Sequence, residues 1–174
     1  MSQTILENFL KDLPDAAGAE RFFNQFKERN SFQAGKLLKT DGLLSDVLTL
    51  ASFSPLFATT LLQHPEYVLW LGKHRKESKV RDKEELLESL ARFSMTNSQL
   101  EPSELLARFR RRELLRIYLR DIRRLGTIAE VTEEISHLAD AILEYALRLA
   151  RQELDNRFGS PQETDEKGRS KPAK

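Results

Sequence analysis

Apolar residues recur along this chain at spacings of three and four, with no run of alternating apolar and polar residues to suggest strands. The pattern predicts an all-α fold of about seven to nine helices. Ile5, Leu6, Phe9 and Leu10 predict a first short helix over 3–12, ending before Pro14. A second, over 15–29, carries Phe22, Phe23 and Phe26 on one side, a row expected in a core rather than on a ligand-stacking surface. Residues 31–39 make a short helix that ends near Asp41-Gly42. The stretch Val47–Gln63 lacks charge altogether but is broken by Pro55, and a membrane span needs about 20 predominantly apolar residues. It therefore reads as parts of two buried helices, 43–53 and 55–63, with Ser54 as cap and Pro55 at the first helical position. His64-Pro65 breaks the chain, and 65–74 resumes it with Tyr67, Val68, Trp70 and Leu71. Lys73, His74, Arg75 and Lys76 gather at its end, where positive charge suits the helix dipole.

After a polar connector at 77–81, Asp82 and Glu85 form a capping arrangement for helix 83–95, whose apolar face is Leu86, Leu87, Leu90 and Phe93. A loop at 96–102 leads to two long helices, about 102–125 and 128–157. Gly126 is expected as the C′ residue of the first, and Thr127 with Glu130 as the capping box of the second. So short a link forces an antiparallel or sharply angled hairpin. In the second long helix Val131, Ile135, Leu138, Ile142, Tyr145 and Leu149 recur at spacings 4-3-4-3-4, a seam for helix packing. Beyond Phe158 the tail GSPQETDEKGRSKPAK has one apolar residue, Ala173, and is expected to be disordered. The expected organisation is a helical domain over 1–158 and a loose tail over 159–174.

Composition adds one feature to this outline. The 174 residues carry a net charge of only +1, yet the charge is segregated. From Glu104 to Arg124 eight arginines face three acids, a balance of +5; from Glu130 to Asp155 seven acids face two arginines, a balance of −5. A chain that neutralises itself by adjacent blocks has no need of a polyanionic partner. The absence of Cys excludes disulfides and thiolate metal sites and fits a reducing, cytoplasmic setting. The N-terminus carries acids early and has no basic region followed by an apolar run, so it does not read as a secretory signal.

The stretch Arg108–Arg124 is the strongest candidate for function. With residues placed at about 100° intervals, Leu114, Leu115, Tyr118, Leu119, Ile122 and Leu125 share one arc. Arg112, Arg116, Arg120, Arg123 and Arg124 share the opposite arc, with Ile117 among them and Arg111 inside the apolar arc. Such a face could bind phosphate from a nucleotide or nucleic acid. It could equally pair with the acidic helix that follows and with its own Glu113 and Asp121, which needs no outside partner and is preferred. Arg111, pointing against the register, is expected to be paired or at an interface. Elsewhere Glu133 and His137 have the spacing of a two-ligand metal face, but no second His accompanies them. Gly159-Ser160 matches the start of a nucleotidyltransferase Gly-Ser motif, but PQETDEKG after it lacks the apolar strand and the Asp-x-Asp pair that hold two metal ions. There is no Walker A, no dinucleotide fingerprint and no nucleophile elbow.

Residues 109–150 resemble the helical region of the glutamine synthetase adenylyltransferase family. Its R-F-R-R-R-E-x-x-R-I-x-x-R-D run is matched by Arg108 to Glu113, Arg116-Ile117 and Arg120-Asp121, and its E-x-S-x-L-A-D-A helix by Glu134 to Ala141. Upstream, SFSPLFATTLLQHPEYVLWL (52–71) is similar to the family's S-P-x-L-A-x-x-L-L-x-H-P-E stretch, so the likeness spans roughly 20–158 in order. The resemblance implies a family whose enzymes attach AMP from ATP to a tyrosine of glutamine synthetase and remove it by phosphorolysis, under the control of PII signalling proteins. This region precedes a catalytic domain opening on G-M-G-K-L-G-G and S-D-x-D-L, patterns missing here, so no catalytic residue carries over. The expectation is a non-catalytic segment, inactive alone, that positions a nucleotidyltransferase domain in cis or trans. Its docking residues would be Arg110, Arg111, Arg112, Glu113, Arg116, Arg120 and Asp121. ATP and Mg would belong only to the missing catalytic domain, with no cofactor or metal in this chain. Glutamine synthetase is a further candidate partner; nucleic acid and membrane are disfavoured. The alternative is a stand-alone helical module that binds a protein or nucleic acid through the arginine face.

Overall fold

The computed structural model describes residues 9–164 and 170–172 and is helical over most of them. Among the described residues there are eight helices: α1 (Ala16–Arg29), α2 (Ser31–Lys39), α3 (Leu43–Phe53), α4 (Pro55–Gln63), α5 (Glu66–His74), α6 (Lys83–Thr96), α7 (Pro102–Ile122) and α8 (Ile128–Phe158). Of the short helix expected over 3–12, residues 3–8 lie outside the described part; Phe9 and Leu10 are helical. No helix among the described residues is long and apolar enough to cross a membrane. In the tail, Gln162–Thr164 and Ser170–Pro172 form a two-stranded antiparallel pair, β1 and β2. The described residues from Gly159 to Glu163 are exposed.

Local chemistry sets the helix ends. The Asp15 carboxylate accepts from the Gly18 N–H at 2.8 Å and starts α1. Asp82 accepts from the Glu85 N–H at 2.8 Å and Glu85 accepts from the Asp82 N–H at 3.2 Å, the capping box expected for α6. At α4 the serine does less than expected. Ser54 is the N-cap residue in an extended conformation, but its hydroxyl makes no capping bond among the described residues, and Pro55 with its fixed φ opens the helix instead. Gly42, at φ +67°, is the left-handed residue before α3. A Cβ there would strike the Arg75 guanidinium, so glycine is required twice over.

The chain divides into two compact units, Met1–Val80 with Arg110–Ile135 and Arg81–Phe109 with Ser136–Lys174. In the first, α1 packs on α3 and α4, and α2 on α5. Phe22, Phe23 and Phe26 lie in its core as their spacing predicted, the Phe22 and Phe26 rings 5.6 Å apart. Leu115 and Leu119 of α7 join the same core. In the second unit, Leu86, Leu90 and Phe93 of α6 are buried, as are Leu105 and Phe109 of α7 and Leu138 and Ala141 of α8. Each of these leucine and phenylalanine side chains stabilises by about 1.5–3 kcal/mol when fully withdrawn from water. The Tyr145 hydroxyl donates to Ser94 Oγ at 2.9 Å, and Lys83 Nζ lies 3.0 Å from Glu144.

One end differs from expectation. α7 stops at Ile122, and the left-handed residue after it is Arg124 at φ 54°, not Gly126. The Leu125 N–H donates to the Arg120 carbonyl and the Arg124 N–H to the Asp121 carbonyl, both at 2.9 Å, the two bonds of a Schellman ending. An arginine thus occupies a conformation that disfavours a Cβ, because Gly126 is committed elsewhere (below). Arg124→Gly is expected to stabilise the chain by about 1 kcal/mol in urea unfolding, since only the backbone strain is removed; a loss of stability would contradict that account. The Lys83–Glu144 pair gives a pH-dependent expectation. The hydrogen bond from Lys83 holds the Glu144 carboxyl below the ordinary glutamate range, and the same bond raises the Lys83 ammonium. The pair therefore stabilises from about pH 4.3 to about pH 10.4. Its contribution is lost as pH falls through the lowered carboxyl value or rises through the raised ammonium value. The difference in Tm between the native chain and Lys83→Met should be present at neutral pH and shrink as pH falls below the ordinary glutamate range; a difference that does not change in acid would exclude the pair as its source.

Candidate functional site

The seven residues expected to form a docking surface are divided by the structure into an interior set and an exterior set. Arg112, Arg116 and Arg120 follow one another at intervals of four and so stack along one side of α7. That side faces inward: Arg116 and Arg120 are each 2% exposed, Arg112 is buried, and Glu113 between them is fully buried. Arg110 and Arg111 are exposed, and Asp121 is half-buried. Within the helix the expected polar arc is thus an interior face, while Arg123 and Arg124 beyond its end are exposed, a correction that Ile117 explains. It lies among the arginines and is fully buried, so apolar packing draws that arc inward. Conversely Tyr118 and Leu125, placed on the apolar arc, are at the edge of exposure. Arg111, expected to be paired or at an interface, is open to solvent.

Burying three guanidiniums demands compensation, because an unpaired charge out of water is costly. Glu113 accepts from Arg112 Nη2 at 2.8 Å and from Arg116 Nε at 3.3 Å. Glu134, on the second turn of α8 and fully buried, accepts from Arg116 Nη2 at 2.7 Å with one oxygen and from Arg120 Nη1 with the other. Arg120 Nη1 also donates to the Lys79 carbonyl at 3.2 Å. The guanidinium of Arg112 lies 4.6 Å from the centre of the Trp70 ring. Glu113 and Glu134 are not the last acids of this network. Glu130 lies next to it. A Cβ on Gly126 would sit 2.9 Å from Arg120 Nη2 and 3.2 Å from a Glu130 carboxylate oxygen, so the missing side chain of Gly126 is the space in which these two charges approach. The Thr127 backbone N–H, then its hydroxyl, then the charge of Arg120 hold the Glu130 carboxyl below its ordinary range. The Thr127–Glu130 capping box expected from sequence is therefore part of the same network, with the Glu130 N–H donating to Thr127 Oγ1 at 3.2 Å.

A second, smaller clasp has the same design. Asp46 in the first turn of α3 is buried and accepts from Arg75, and Arg123 Nη1 approaches it at 3.3 Å. Chemically these clusters are clamps. The oxygens of Glu113, Glu134 and Asp46 already accept from guanidiniums, an arrangement that ties elements together. Among the described residues no group of three or more His, Asp or Glu could hold a metal ion. His137, considered with Glu133 as a metal face, directs Nδ1 to the Arg81 carbonyl oxygen at 3.1 Å, while Glu133 is exposed. Sequence reasoning missed Glu134, Glu130 and Trp70 as partners. The available signals were Ile117 inside the arginine arc and a glutamate on the helix that follows.

A family model described as glutamate-ammonia ligase adenylyltransferase matches residues 44–172. The chain belongs to this family. It is 26% identical over 137 residues to the bifunctional glutamine synthetase adenylyltransferase/adenylyl-removing enzyme of Mannheimia haemolytica, covering 76% of this chain and 14% of that one. It is 28% identical over 149 residues to the protein of the same description in Hahella chejuensis, covering 83% and 15%. The chain thus spans about one-seventh of the length of these adenylyltransferases. No solved structure matches it significantly. The arginine run and the 52–71 stretch that carried the resemblance both lie within the matched region of the adenylyltransferase family.

Removing one partner from a buried charge network leaves the others uncompensated. Glu134→Ala is expected to cost about 3–5 kcal/mol, whereas Arg110→Ala and Arg111→Ala should each stay within about 0.5 kcal/mol of the native chain. Urea unfolding followed by circular dichroism distinguishes the two sets; equal effects would refute the division between interior and exterior arginines.

Proposed function

We propose that this chain is a non-catalytic helical segment of a glutamine synthetase adenylyltransferase, and that it positions a nucleotidyltransferase domain in cis or in trans. The observation that carries the proposal is the buried network of Arg116, Arg120 and Glu134, which fixes the turn between α7 and α8 and spends its charges internally. Arg112, Glu113, Arg116 and Arg120 then act as the rigid backing. Arg110, Arg111 and Asp121 make the docking contact. Arg110 and Asp121 are eleven residues apart in sequence, three turns of one helix, and so present the two ends of a single stripe about 16 Å long. AMP transfer to glutamine synthetase, with ATP and Mg, belongs to the catalytic domain, and glutamine synthetase itself reaches this segment only through that domain. The setting would be cytoplasmic and the role one in nitrogen regulation. The competing assignment, a module that grips nucleic acid through its arginine face, has less support, because three of the arginines it would use already serve internal carboxylates.

Two measurements test the proposal. The purified chain, given ATP, Mg and glutamine synthetase, should transfer no AMP; metal-dependent transfer by the chain alone would overturn the non-catalytic assignment. A nucleotidyltransferase domain from a family relative should bind the chain, and Arg110→Glu with Arg111→Glu should weaken binding by about tenfold or more. Binding that ignores both changes, or no binding at all, would remove the docking role.

A further inference from the structure

α8 has two apolar sides, and its own unit covers only one of them. Leu138 and Ala141 are buried in the second unit. Leu143, Leu147, Leu154 and Phe158 are instead 67%, 52%, 54% and 75% exposed. With the exposed Ala150, these five residues fall within an arc of about 80° at roughly 100° per residue, a continuous stripe. Beside it lies an open cleft of about 430 Å³, lined by Leu106, Ala146, Leu149, Ala150 and Glu153 among others. A stripe of large side chains at spacings of three and four is the form one helix offers to another.

We propose that the occupant of this stripe is a second copy of the chain, bound through α8 in the antiparallel direction. The reason lies in the charges that flank it. With a two-fold axis passing between Arg148 and Leu149, Leu143 faces the partner's Leu154 and Leu147 faces the partner's Ala150. The same axis sets Asp140 against the partner's Arg157 and Phe158 over the partner's Ala139. On one edge Glu144 comes within two residues, about 3 Å, of the level of the partner's Arg151. Each contact occurs twice, as a two-fold interface requires. Both polar pairings unite opposite charges. A parallel arrangement would set Asp140, Arg151 and Arg157 each against its own copy, which like charge disfavours. Asp140, Arg151 and Arg157 are all exposed. Glu144, already bonded to Lys83 and Arg148, would gain a third cation. The contact runs from Ala139 to Phe158, about 30 Å of helix, which places the dimer among weak, reversible ones.

Sedimentation equilibrium of the full chain tests this. Over about 10 µM to 1 mM the mean mass should rise from 20.1 kDa toward twice that value. Leu147→Glu with Leu154→Glu should leave the chain monomeric throughout with an unchanged helical spectrum, both positions being exposed. Asp140→Arg or Arg157→Asp alone should weaken association about tenfold, and the two changes together should restore it. Because the chain has no cysteine, Leu143→Cys mixed with Leu154→Cys should cross-link to each other in preference to themselves. A native chain monomeric at 1 mM, as it would be were the stripe reserved for a different protein, overturns the proposal. So does a dimer indifferent to the glutamate changes, a charge swap that fails to restore association, or self-cross-linking at Leu143→Cys.

Discussion

The carboxylate of Glu134, held between the guanidiniums of Arg116 and Arg120 with all three out of water, decides how the turn from α7 into α8 is built. Neither helix could bury its own charge alone. α7 would carry guanidiniums into an apolar interior, and α8 would carry a carboxylate there. Each arrangement is tolerable only because the other exists, so the geometry of the turn is over-determined. That accounts for the tension at its end, where Arg124 accepts a left-handed conformation while Gly126, two residues on, lets Arg120 and Glu130 approach.

Much of the helical outline was legible because it depends on local signals. Pro55, Asp82 with Glu85, and Thr127 with Glu130 act within one turn of the residues they organise, and the structure places helix starts there. The phenylalanines of α1 were readable from spacing alone. The arginine face was not, since periodicity sorts residues by polarity and assumes that polar means outward. In α7 that assumption fails. Arg112, Arg116 and Arg120 are drawn inside by acids that lie one residue away and on the following helix, and by Trp70 more than forty positions upstream. The preferred pairing of these arginines with the following acidic helix was correct in kind; that the pairing is interior required coordinates. The end of α7 was misplaced for a related reason, because a glycine in the right neighbourhood had a tertiary task that no local rule reveals.

In this chain the network divides the arginine run into two sets. Arg112, Arg116 and Arg120 meet internal acids, whereas Arg110 and Arg111 are exposed.

The two clasps also differ in the length of chain they close. Arg120 and Glu134 are 14 residues apart, whereas Arg123 and Asp46 are 77 apart. Closing the longer loop costs about 1.5 kcal/mol more in chain entropy. Loop closure therefore favours the contact at the turn between the long helices over the one that ties the end of α7 back to α3.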